Sequence, residues 1–144
     1  QEACHELAEY ADSIDAHFAV ETGPETSAVL KGFLDSLNST GVGVNLDPAN
    51  LLLYGKGNPC DAVDVFGQYV RGVHAKDGEY PTNPAYLGEE KRIGDGRANF
   101  PVLVKKLMEH GYNGSLTIER EIDGEKQIAD ILYAKKFLED IING

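Results

Sequence analysis

The chain is 144 residues long, with 42% hydrophobic and 26% charged residues, the balance of an ordinary globular domain. Its net charge of −11 repels nucleic acid and anionic membranes, so neither is expected as a partner. No apolar run approaches the roughly 18 residues of a membrane span, and Gln1–Glu6 has neither the basic flank nor the apolar stretch of a secretory signal.

Two cysteines, Cys4 and Cys60, lack CxxC or zinc-finger spacing. Free thiols and a cytoplasmic location are expected from that.

In chain order the pattern alternates helix and strand. Leu7, Ala11 and Ile14 recur at helical spacing over residues 2–14. His17–Glu21 is a short apolar run suited to a buried strand, broken by Gly23-Pro24. Thr26 or Ser27 can cap a helix with Leu30, Phe33 or Leu34, and Leu37 inside. Gly41–Asp47 forms a second strand, and Pro48 turns the chain out of it. A short helix is expected over Asp61–Phe66 and a third strand within Tyr69–Asp77. A polar loop from Gly78 to about Ala98 follows, and Asn99 can cap the next helix, which carries Val102, Val104, Leu107 and Met108. Gly111 stands where a helix C′ glycine belongs. Ser115–Glu119 is the fourth strand, and the last helix, from about Glu125 to Ile142, shows Ile128, Ile131, Leu132, Leu138 and Ile142 as its face.

Four strands between five helices make an α/β fold of parallel βαβ units with right-handed crossovers. The unit length fits a (β/α) barrel repeat, yet a full barrel takes about 250 residues. Residues 1–144 are therefore expected to form one domain, half of a (β/α)8 TIM barrel. Four parallel strands alone leave two bare edges. A second copy in a homo-oligomer, or a missing N-terminal half, would cover them; a small open α/β sheet is the alternative.

Every expected strand ends in a residue that binds hard or borderline cations: Glu21, Asp47, His74 and Glu119. In a parallel barrel the strand C-termini share one face, where active sites are built. Three carboxylates and an imidazole suit one divalent ion, Mn²⁺, Mg²⁺ or Co²⁺, better than a structural zinc. They also outweigh its charge, which leaves a carboxylate basic enough to take a proton. Each residue has a plainer role open to it. Glu21 can cap a helix beside Thr22-Gly23, Asp47 can serve the turn before Pro48, His74 can be a core histidine, and Glu119 can pair with Arg120 or Arg97. What argues for a site is that all four hold the same topological position.

Around them, Lys76 and Asp77 follow His74 at the mouth of that face, and Lys76 can orient a substrate oxygen or phosphate. Asn50 can hydrogen-bond a sugar hydroxyl or cap the turn before Leu51. Gly94-Asp95-Gly96-Arg97 is a glycine-rich turn with no strand leading into it, unlike a phosphate loop. Arg92 and Arg97 can hold an anion. Asn50, Lys76, Asp77 and Arg97 are the expected substrate-binding residues.

The runs Val20–Thr26, Val44–Leu51 with Tyr54-Gly55, Val73–Asp77, Ile93–Gly96 with Phe100-Pro101, and Leu116–Glu121 together resemble the sugar phosphate isomerase/epimerase family. That family belongs to the xylose-isomerase-like TIM barrels. The resemblance covers nearly the whole chain, with Asp47-Pro48-Ala49-Asn50 and His74-Ala75-Lys76-Asp77 its most specific segments. It implies that strands five to eight of the barrel, the C-terminal half, are present. It also implies that Glu21, Asp47, His74 and Glu119 ligate one divalent metal ion (Mn, Mg, Co or Zn), with Glu21 and Glu119 as the acid/base pair. The implied activity is isomerisation or epimerisation of a sugar or sugar phosphate by proton abstraction beside a carbonyl. Ketose epimerases of this superfamily usually carry histidine where this chain has Asn50. The same fold hosts inosose dehydratases, so a keto-inositol dehydratase is the second expectation, and a non-catalytic half-barrel the third. Repair endonucleases of the fold use many histidines, and only His74 is well placed here.

Overall fold

The computed structural model describes residues 2–144. Its elements run α1 (Glu2–Ser13), β1 (Phe18–Glu21), α2 (Ser27–Leu37), β2 (Val42–Leu46), α3 (Pro48–Leu53) and α4 (Pro59–Phe66). A 3₁₀ turn (Gly67–Tyr69) leads into β3 (Val70–Ala75), β4 (Asp77–Gly78), β5 (Glu90–Lys91), α5 (Phe100–Glu109), β6 (Leu116–Ile118) and α6 (Glu125–Asn143). The main sheet is four-stranded and wholly parallel, in the order β1-β2-β3-β6, so strand order follows chain order as in a partial (β/α)8 barrel. No described helix is long and apolar enough to cross a membrane. Cys4 and Cys60 are free.

Register and the two-residue period of a strand sort the side chains onto two faces. Val20, Val44, Leu46, Val73, Ala75, Leu116 and Ile118 fall on the helix side and join the core built by Leu30, Leu34, Val63, Phe66, Phe100, Leu103 and Leu138. Glu21 lies opposite Asn45, Asn45 opposite Gly72, and His74, two residues further along β3, opposite Thr117, so the other face is polar. A register shift between Val44 and Asn45 brings Asn45 level with Gly72.

Local chemistry explains the boundaries. Thr26 caps α2, its hydroxyl accepting from the Val29 N–H. Gly111, at φ +85°, closes α5 as expected: its N–H donates to the Met108 carbonyl and that of Tyr112 to Leu107.

Several expectations are corrected. The turn at Pro48 is the start of a helix, α3, with Pro48 in its first turn and Asp47 as its N-cap. The loop after Gly78 contains a small antiparallel pairing, β4 with β5. Asn99 occupies the N-cap position of α5 in a left-handed conformation, but its side chain makes no capping bond. On α1 the buried residues are Ala8 and Ala11, while Leu7, and Ile14 just past its end, stand exposed. On α6, Ala134 and Leu138 are buried, whereas Ile128, Ile131, Leu132 and Ile142 are exposed. The cause is position. These are the end helices of the row: α1 packs on β1, β2 and α2, and α6 on α5 and β6.

Candidate metal centre

The parallel sheet brings Glu21, Asp47, His74 and Glu119 to one end, where one ligand atom from each lies within 4.8 Å of the other three. Glu21 ends β1, His74 is the penultimate residue of β3, and Asp47 and Glu119 immediately follow β2 and β6. The Glu119 N–H is held by the Ala75 carbonyl at 3.4 Å, which continues the β3–β6 ladder to the site.

Asp47 is anchored from several sides. Its backbone N–H donates to the Thr22 hydroxyl at 2.9 Å, and that hydroxyl donates to the Asp47 carbonyl at 2.8 Å. One carboxylate oxygen, Oδ1, caps α3 by accepting from the Asn50 N–H at 3.1 Å. The other, Oδ2, is buried without a hydrogen-bond partner. Burial pushes the carboxyl up to about 6; the Lys76 charge and the Asn50 N–H pull it down, and Glu119 and Glu21 add to the rise.

His74 Nδ1 stands 2.6 Å from Glu119 Oε2 and 3.3 Å from Glu21 Oε1. It too is buried without a properly aligned hydrogen bond. The opposite ring nitrogen, Nε2, is 3.0 Å from the Asn45 side-chain nitrogen. Two unsatisfied buried atoms, Asp47 Oδ2 and His74 Nδ1, thus belong to the same four-residue cluster. Orphaned polar atoms of this kind are rare and costly. A divalent ion about 2.1 Å from each ligand sets neighbouring ligands about 3 Å apart and opposite ones about 4.2 Å apart. The cluster has that scale, and its oxygen-rich donor set fits such an ion.

Lys76 lies beside the cluster, its side chain only 3% exposed. The ammonium contacts Glu121 at 2.6 Å, Glu119 at 3.0 Å and Asp47 at 3.7 Å. Burial opposes its charge, but the hydrogen bonds to Glu121 and Glu119 and the nearby Asp47 raise it above the ordinary lysine value. Asn50 donates to the Thr22 carbonyl at 3.0 Å and to Glu21 Oε1 at 3.4 Å, so it steadies one carboxylate of the cluster.

Asp77 and Arg97 are not brought to the cluster in the same way. Both oxygens of the buried Asp77 carboxylate are engaged by backbone N–H groups, Oδ1 by Gly78 and Ala98, Oδ2 by Gly94 and Gly96. It organises the glycine-rich turn. Arg97 pairs with Glu79 at 3.0 Å with its side chain 67% exposed. Arg92 pairs with Asp95 and lies over the Tyr133 ring. Arg120 pairs with Glu90 and Asp130, which leaves Glu119 to His74 and Lys76.

Sequence reasoning missed Thr22, Asn45 and Glu121. Thr22 and Glu121 each sit within two residues of a candidate ligand, which is a signal. Asn45 had one too, as a polar residue inside an otherwise apolar strand.

A solved xylose isomerase domain protein from Planctomyces limnophilus superposes with a TM-score of 0.91 at 34% identity, over 97% of this chain and 51% of that one. A D-tagatose 3-epimerase-like protein superposes with a TM-score of 0.72 at 25% identity, over 96% of this chain and 51% of that one. The inosose dehydratase of Lacticaseibacillus casei is 26% identical over 88% of this chain and 47% of its own length. The chain thus spans about half the length of the relatives it matches. The family description "xylose isomerase-like TIM barrel" matches residues 1–141, nearly the entire chain. With a parallel βα sheet and a cluster of candidate metal ligands at its C-terminal end, this chain belongs to the xylose isomerase-like TIM barrel family.

Proposed function

We propose that the protein is a divalent-metal-dependent isomerase or epimerase acting on a sugar or sugar phosphate. The observation that carries this reading is the convergence of Glu21, Asp47, His74 and Glu119 from four adjacent strand ends. The resemblance to the D-tagatose 3-epimerase-like protein supports it. Mn, Mg, Co and Zn are the candidate ions, the oxygen-rich donor set favouring the harder ones. Such an ion supplies Lewis-acid polarisation of a substrate carbonyl and its neighbouring hydroxyl.

The chain's own residues do the rest. Glu21 and Glu119 come from the two edge strands and approach His74 from β1 and β6. One removes the proton from the carbon beside the carbonyl, and the other returns a proton from the opposite side. Asn50 holds Glu21, and Lys76 holds Glu119 while adding a positive charge near the developing oxyanion. Asp77 and Arg97 act on the sugar only through the loop they support. Further strands beyond this half-barrel, from an N-terminal half or a second copy, complete the pocket.

A second reading, dehydration of a keto-inositol, is favoured by the inosose dehydratase relative. Both reactions begin with the same proton abstraction. The test is incubation with Mn²⁺ and panels of ketoses, ketose phosphates and keto-inositols in deuterated water. Deuterium entering beside the carbonyl with composition unchanged, and lost in Glu119→Gln, supports isomerisation or epimerisation. A product lighter by one water points to dehydration. No exchange with any compound, from protein shown to hold metal, overturns both.

A further inference from the structure

Asn45 stands on β2, next to the cluster but outside it. Its side chain reaches across to β3 and lies 3.0 Å from His74 Nε2. Space for it is made by Gly72, directly opposite, where an added Cβ would come within 2.7 Å of Asn45 Oδ1. Three residues of two strands, Asn45, Gly72 and His74, thus form one arrangement with no part in the core. The far side of the ring, Nδ1, faces Glu21 and Glu119.

A neutral imidazole has one N–H and one lone pair. Nδ1 can give its lone pair to a cation only if the proton sits on Nε2, and Nε2–H then needs an acceptor. Here Asn45 presents Nδ2 to Nε2, the opposite demand. An asparagine can meet both, because a half-turn of its amide exchanges NH₂ for C=O in the same volume. We infer that Asn45 is a positioning residue that selects the tautomer of His74. With Nδ2 turned to the ring, Nε2 accepts and Nδ1 carries the proton. With Oδ1 turned to the ring, Nε2–H donates and Nδ1 is free to bind metal. One proton leaves Nδ1 and one arrives at Nε2 through solvent, so the ring stays neutral. The inference rests on the metal-site reading above, but the proton position can be read without it.

The test uses ¹⁵N-histidine-labelled protein, well above the imidazole range of about 6.5, chelated and then loaded with Zn²⁺. In wild type the His74 shifts should place the proton on Nδ1 after chelation and on Nε2 with Zn²⁺. Asn45→Asp, which only accepts, should hold it on Nε2 in both states and keep Mn²⁺ affinity by calorimetry within about threefold. Asn45→Ala should lose about 10–100-fold in Mn²⁺ affinity while its backbone amide spectrum stays folded. Wild-type affinity in Asn45→Ala, or an Nδ1 proton in chelated Asn45→Asp, overturns the inference. If wild type binds neither ion, the metal reading fails, and the proton position in chelated wild type against Asn45→Asp still decides the role of Asn45.

Discussion

His74 Nδ1 and Glu119 Oε2 lie 2.6 Å apart without the alignment of a hydrogen bond. A histidine that merely completed the core would aim its N–H along that contact. Here the ring nitrogen and the carboxylate stand side by side, and Glu21 flanks the same nitrogen at 3.3 Å. Side-by-side donors are what a shared third partner requires.

His74→Ala should therefore lose the metal rather than the fold. Its side chain is a quarter exposed, so its removal opens little core. Wild type at a hundredfold excess of Mn²⁺ over Kd should gain about 2.7 kcal/mol of stability. The variant should gain almost none. Denaturation with and without Mn²⁺, beside elemental analysis, checks this; equal gains in both proteins would remove His74 from the site.

Stability and metal binding should respond oppositely to pH through Asp47. Its carboxyl is pushed up to about 6 in the fold, from an ordinary value of 3.8. The folded state therefore binds this proton more tightly than the unfolded chain. Between about pH 4 and 6, rising pH costs the chelated protein stability, on the order of 3 kcal/mol in all. Metal needs the ionised carboxylate, so its affinity should fall as pH drops below 6, up to about tenfold per pH unit from this group. Calorimetric titration of Mn²⁺ at pH 5 and 7 reads it. Flat affinity over that range would mean that Asp47 is not a ligand.

The clustering of Glu21, Asp47, His74 and Glu119 was legible because a parallel sheet puts all strand ends on one side, so position alone linked the four. The helix α3 was not, because Pro48 signals equally a turn and the first residue of a helix. Nor were the faces of α1 and α6. Apolar spacing names a hydrophobic stripe, but burial needs a neighbour covering it, and at the two ends of the row Leu7, Leu132 and Ile142 stay largely exposed. The backbone contacts of Asp77 were hidden for a related reason. A strand-end carboxylate looks the same in sequence whether it faces a substrate or a ring of backbone N–H groups.

Lys76→Met should destabilise the chelated protein more than the loaded one. The lysine is nearly buried and balances Asp47 and Glu119 from within contact range. Without it these carboxylates lose their nearest cation, and breaking a buried pair costs about 3–5 kcal/mol. Part of the Glu121 contact is screened, since that side chain is 64% exposed, so the lower end is expected. Added Mn²⁺ replaces the missing charge and should recover much of the loss. Urea denaturation of both proteins, chelated and loaded, reads the difference; an identical loss in both states would make Lys76 a structural residue unconnected with the metal.

Asp77 offers a sharper separation between scaffold and substrate contact. Its carboxylate accepts from four backbone N–H groups, and two of these, on Gly78 and Ala98, belong to buried residues. Asp77→Ala would strand those two at about 1–3 kcal/mol each, a loss of about 2–6 kcal/mol. Asp77→Asn keeps the volume and one acceptor, so it should lose less, and Mn²⁺ affinity in both should stay within about twofold of wild type. A carboxylate that instead served the sugar would give the reverse pattern, with unchanged stability in Asp77→Asn and a raised KM. Because its oxygens are already engaged on both sides, the loss should appear in the denaturation midpoint, and the turn at Gly94–Ala98 should be the first segment to gain hydrogen exchange.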